Sequence, residues 1–240
     1  MTGPMSKSAV VWLTMMLLLP GPFVARALTG TAALSALSSR QGELEELIGR
    51  IEARYGPMRG MAAEFEQTFV GAGSRVRRET GRLFLQRPRM MRWEYDPKPG
   101  KLFIVNGREV WFYVPADREA THTDAQKVSD ARFPFLFLLG NTRLRRLFRS
   151  ISLAEQQSSS SSSARPGTRT LRLIPRTNAS GLREVFLEVF TDGSVSRIRI
   201  TDEAGAVSEV ALSNVRENYV APADAFQFRP PPGVTVRKLR

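Results

Sequence analysis

The chain has 240 residues, with 35 Lys and Arg against 23 Asp and Glu, a single His, no Cys and a formal net charge of +12. The lack of cysteine excludes disulfides, thiolate metal sites and a lipid-modified N-terminal cysteine. The basic excess suits an anionic lipid surface or an acidic protein, or is simply a solvated basic surface; with no zinc-finger spacing and no RNP-like motif, nucleic acid is not expected.

Lys7, the apolar run AVVWLTMMLLL at residues 9–19, the breakers Pro20-Gly21-Pro22 and the small-x-small Ala25-Arg26-Ala27 follow one another in the order of a secretory signal peptide. An uncleaved anchor is the alternative, disfavoured because the run is shorter than the roughly 20 apolar residues that span a bilayer. The expected division is a signal peptide over residues 1–27 and one soluble exported domain over residues 28–240.

Residues 41–55 predict an amphipathic helix, with Leu44, Leu47, Ile48 and Ile51 on one stripe and Gly56-Pro57 as its stop, after a frayed lead-in over 28–40. From Met61 the period changes to two. Phe65, Gln67 and Phe69 share one face, and Glu64, Glu66 and Thr68 the other, solvated one. Residues 79–87 place Leu83, Leu85 and Arg87 together, and residues 89–96 place Met91, Trp93 and Tyr95 together. LFIV before Asn106-Gly107 and REVWFYV after it predict a hairpin whose Asn-Gly turn takes the positive φ angles of type I′. Residues 117–124 read as a polar strand or loop. FPFLFLLGNTRLRRLF, residues 133–148, predicts two short helices split near Gly140-Asn141, the first so apolar that it must be buried or cover something apolar. Strands are expected at 150–157, 168–175, 184–190, 195–202 and 207–216, with turns at Asp192-Gly193 and Ala204-Gly205 and a low-complexity loop at Ser158–Ser163. The prolines of FQFRPPPGVTV suit an edge or a loop. The fold class is α+β, mostly antiparallel β.

His122, the only histidine, has no nucleophile motif beside it and reads as a plain surface residue, so no enzyme is expected. Neither further histidines nor a tight carboxylate cluster supports a metal site, and no cofactor is implied. The sequon Asn178-Ala179-Ser180 is read as incidental. Arg87 stands out. It shares strand parity with Leu83 and Leu85, so either its five donors hold backbone carbonyls, such as those at a helix C-terminus, or the strand ends there and Arg87-Pro88 lies at a rim.

Taken in order, Phe65-x-Gln67, Gly81-x-Leu83-x-Leu85-x-Arg87-Pro88, Trp93-x-Tyr95, Val105-Asn106-Gly107, Trp111-Phe112-Tyr113, Pro115, Ala120-Thr121, Pro134-Phe135 and Phe226-x-Phe228-x-Pro230-Pro231-x-Gly233-Val234-Thr235-Val236 resemble the LolA family of periplasmic lipoprotein carriers over roughly residues 41–236. The resemblance implies an unclosed β-barrel, a half-barrel, with a lid of short helices over an apolar cavity. It implies acylated lipoproteins as cargo, an inner-membrane ABC-type transporter as donor and an outer-membrane lipoprotein as acceptor, with the protein a monomer. It makes Arg87-Pro88 the lid latch. The cavity residues it suggests are Phe65, Phe69, Leu83, Leu85, Met91, Trp93, Tyr95, Phe135, Leu136, Leu138 and Leu139. Met91 stands where the family often has an aromatic. A lipid- or lipoprotein-sensing regulatory domain of the same fold is the alternative function.

Overall fold

The computed structural model describes residues 28–71, 75–125, 143–154, 165–176, 181–222 and 224–239, with side chains from residue 37 onwards. The chain divides into two compact units, Met1–Ser39 and Arg40–Arg240. In the first, the described residues are helical from Leu28. The second holds all the described strands.

Helix α1 spans Leu28–Tyr55. It starts well before the expected residue 41, because Ala, Leu and Ser dominate residues 28–40 and no proline interrupts them. β1 (Gly60–Val70), β2 (Val76–Gln86), β3 (Met90–Tyr95), β4 (Leu102–Asn106) and β5 (Glu109–Val114) follow as a meander. A 3-10 turn over Pro115–Asp117 leads into β6 (Glu119–Asp124). The short helix α2 (Leu144–Leu147) runs directly into β7 (Phe148–Leu153). Phe148, expected in a helix, therefore opens a strand; the expected helix N-terminal to Gly140 lies outside the described residues. β8 (Thr168–Pro175), β9 (Leu182–Phe190), β10 (Val195–Asp202), β11 (Val207–Glu217) and β12 (Thr235–Lys238) complete the order.

All twelve described strands form one unclosed sheet in the order β12-β6-β5-β4-β3-β2-β1-β11-β10-β9-β8-β7. Every pairing is antiparallel except β12 with β6. Two meanders thus meet where β1 pairs with β11, Phe65 opposite Leu212. The hairpin at Asn106-Gly107 forms, but its turn differs from the expectation. Only Gly107 has positive φ, +90°, which is the pattern of type II′ with glycine at the first central position. Asn106 is held outside the turn centre because its Oδ1 accepts from the Arg108 and Glu109 amides.

The two sheet faces are covered differently. On one, the inner face, the α1 residues Leu44, Leu47, Ile48 and Ile51 join buried side chains of both meanders in a single cluster. On the other, the register aligns Ala62, Phe84, Arg92, Ile104, Trp111 and His122 in one row across six strands. The segment before β12 crosses that row. Arg92 donates to the Ala225 carbonyl at 2.9 Å, and the Phe228 ring lies 5.3 Å from Trp111 and 5.2 Å from Tyr113. Phe226-x-Phe228 is therefore an outer strap that ends by pairing β12 to β6. His122 is less exposed than a plain surface histidine: it stacks on Trp111 at 4.4 Å and its Nδ1 lies 3.5 Å from Glu109.

Candidate functional site

Strand parity builds the inner face. Cross-strand partners share a side, so Leu83 opposite Trp93 and Trp93 opposite Phe103 form one row, and Leu85–Met91–Val105–Val110 form the next. Phe65 faces Gly81, and the missing side chain there is what admits its ring. A Cβ on Gly81 would stand 2.0 Å from the Glu94 carbonyl and 2.8 Å from Phe65 Cζ. Phe65 meets Trp93 edge-on at 4.6 Å and Tyr95 at 5.2 Å. The Tyr95 hydroxyl donates to Gln67 Oε1, and Gln67 Nε2 donates to Ser208 Oγ, both at 3.0 Å, so the polar edge of this aromatic group is hydrogen-bonded. Across the β1–β11 pairing, Gln67 stands opposite Val210, and Val210–Ile198–Leu187–Leu171–Leu153 on the other meander extend the same face.

Within the second unit, the part of α1 from Leu44 to Tyr55 sits on this face with an apolar stripe inward and a polar perimeter. Arg54 Nε pairs with Glu217 at 2.5 Å, Glu52 accepts from the Leu144 amide at 2.8 Å, and Arg145 pairs with Glu45. The Tyr55 hydroxyl accepts from the Val195 amide at 2.9 Å; burial pushes that hydroxyl above its ordinary pKa, so it stays neutral. The C-terminal end of α1 is held by Arg87. Its Nε donates to Met58 O at 2.6 Å, and its Nη2 donates to Tyr55 O at 3.0 Å and Gly56 O at 2.6 Å. A guanidinium over the last carbonyls of a helix answers both their unmet acceptors and the negative end of the dipole. β2 ends at Gln86, so Arg87 is half-buried at the strand end and Pro88 is exposed.

Of the sequence-predicted cavity residues, Phe65, Leu83, Leu85, Met91 and Trp93 lie in one buried cluster, with Tyr95 packed against it. Phe69 does not: it sits further along β1, opposite Arg77, whose guanidinium lies 5.4 Å from its ring. Phe135, Leu136, Leu138 and Leu139 fall outside the described residues. Sequence reasoning passed over Phe103, Val105 and Val110, and the whole second meander with Leu171, Leu173, Leu187 and Ile198, all buried on the same face. The alternation of TRTLRLIP carried that signal. Among the described residues no group of three or more metal-ligating side chains converges, and no helix is long and apolar enough to cross a membrane.

The outer membrane lipoprotein carrier protein LolA family is matched over residues 57–229. The chain belongs to the LolA family. Within that match lie the Phe65, Gly81, Arg87-Pro88 and Phe226 segments just described. The chain is 26% identical over 180 residues to an outer-membrane lipoprotein carrier protein of Xanthomonas campestris pv. campestris (strain B100), covering 75% of this chain and 82% of the relative. It is 24% identical over 211 residues to that of Erwinia tasmaniensis, covering 88% and 97%. Among solved structures it is similar to a LolA superfamily protein from Nitrosomonas europaea, with a TM-score of 0.40 and 13% identity over 79% of this chain and 97% of that one.

Proposed function

We propose that this LolA-family chain is a non-enzymatic periplasmic carrier that takes up the acyl chains of lipoproteins on the inner face and moves them from the inner to the outer membrane. The observation that carries this reading is the seating of α1: an apolar stripe over an apolar sheet face, tethered at its end by Arg87. Such a cover is removable. Burying one acyl chain of about 15 methylenes contributes on the order of 12 kcal/mol, at about 0.8 kcal/mol per CH₂. The chain must first part α1 from the buried cluster that it shares with Leu83, Leu85, Met91 and Trp93, and the cost of that opening is subtracted from binding. The methionines of the buried cluster, Met61 and Met91, can repack around a flexible ligand. Net affinity is lowered enough for onward transfer, and loading then calls for work by an ABC-type donor in the inner membrane, with an outer-membrane lipoprotein as acceptor.

The reading has a spectroscopic test. Trp93 is 5% exposed within the inner-face cluster, whereas Trp111 stacks on His122 on the other side of the sheet. With the leader removed and a Trp111→Phe background, acylated peptide is expected to shift the Trp93 emission. Binding shown independently with no change in emission takes Trp93 out of the site.

Export is part of the proposal and is supported by Lys7, the apolar run and Ala25-Arg26-Ala27. N-terminal sequencing of the exported protein is expected to begin at Leu28. A mature chain retaining residues 9–19 would mean a membrane-anchored protein instead.

A further inference from the structure

The α2–β7 corner carries chemistry that the acyl-binding face does not use. A cavity of about 370 Å³ opens there, lined by Arg145, Arg149 and Arg176 with Leu44, Phe148 and Ile151. The three apolar residues are buried members of the core, so the surface that the cavity offers a ligand is mostly polar. The arginines are unevenly neutralised. Arg145 pairs with Glu45, and Arg176 donates Nη2 and Nε to the Arg145 carbonyl at 2.8 and 3.3 Å. Arg149 pairs with no described carboxylate, and neither do the neighbouring Arg143 and Arg146.

Guanidinium groups gathered around one concavity repel each other unless an anion joins them. A carbonyl engaged by Arg176 adds no charge, so Glu45 is the only described anion paired with a lining arginine. Planar guanidinium forks match phosphate oxygens in a bidentate way. A space of this size fits one headgroup, not the surface of a folded protein.

We propose that this cavity binds the phosphate of an anionic phospholipid headgroup, so that the α2–β7 corner is where the protein touches a lipid surface. The site does not depend on the acyl-carrier reading and is tested on cargo-free protein. Arg149 reaches it from β7, where it is exposed and outside the core, so its replacement leaves the sheet intact.

The experiment is co-sedimentation of the leader-free protein with phosphatidylglycerol vesicles, beside phosphatidylcholine vesicles and soluble glycerol phosphate. Arg149→Glu and the milder Arg149→Gln are compared with Arg78→Glu, a matched charge change on exposed β2. Binding to phosphatidylglycerol is expected to fall at least about fivefold in Arg149→Glu, the effect of one basic residue near an anionic surface, less in Arg149→Gln and little in Arg78→Glu. An equal loss in Arg78→Glu would show diffuse attraction by the net charge and overturn the site. Glycerol phosphate binding that depends on Arg149, without vesicle binding, would overturn the membrane source. Competition by polyglutamate at lower charge concentration than phosphatidylglycerol would assign the corner to an acidic protein and overturn the proposal as well.

Discussion

Arg87→Leu is expected to load lipoprotein at least as well as the unchanged protein and to pass it on poorly. Arg87 makes three hydrogen bonds to carbonyls at the end of α1, and bonds to a charged donor contribute about 1.5–3 kcal/mol each before screening. Arg87 is half-exposed to solvent, so the sum is not available in full. Even about 1.5 kcal/mol shifts the balance between a seated and a displaced α1 roughly tenfold. Leucine removes the tether and adds apolar surface beside Leu85, which favours the occupied state twice over. Arg87→Lys is expected to fall between, because an ammonium lacks the fork that reaches Met58 and Tyr55 together. The measurement scores loading from donor membranes and transfer to acceptor membranes separately, with circular dichroism to establish that the variant folds. Unchanged transfer would reduce Arg87 to a residue at the strand end.

Gly81→Val is expected to destabilise the fold by about 3 kcal/mol or more, the upper range for overpacking a filled core. The added Cβ meets the Glu94 carbonyl at 2.0 Å, which is backbone and can yield only if β3 moves away from β2. It also meets the Phe65 ring, which is already wedged against Trp93 and Tyr95. Urea denaturation reads the loss as a lower midpoint. A midpoint within experimental error of the unchanged protein would mean that the Phe65 ring does not lie under Gly81.

These two positions also mark what local pattern could reveal. The parity of Leu83, Leu85 and Arg87 is a two-residue period, which any strand imposes on its own side chains, so the shared face was readable without knowing the sheet. Which carbonyls Arg87 would meet was not readable, because Tyr55, Gly56 and Met58 reach it through the turn from α1 into β1. Phe69 obeys the same parity as Phe65 yet lies beyond the buried cluster; periodicity sets a side but not how far along the strand the cover extends. The Asn106-Gly107 hairpin was readable and its turn type was not, since the Asn106 side chain competes for the turn amides. The pairing of β12 with β6 and of β1 with β11 joins segments far apart in the chain, and nothing local signals either. The α2–β7 cavity was least legible of all: its arginines come from α2, β7 and the end of β8, and only the tertiary fold gathers them.

An unclosed sheet has two edges, and each is a template on which another strand could add. Here one edge is β12, four residues long, preceded by three prolines and ending in Arg237 and Lys238. The other, among the described residues, is β7, which carries Arg149 and follows the arginines of α2. Two copies approaching edge to edge would bring like charges together along a strand too short to offer much in return. The basic termini of the sheet thereby act against fibril-like polymerisation, a hazard that a closed barrel avoids by having no edges and that this open one meets with electrostatic repulsion.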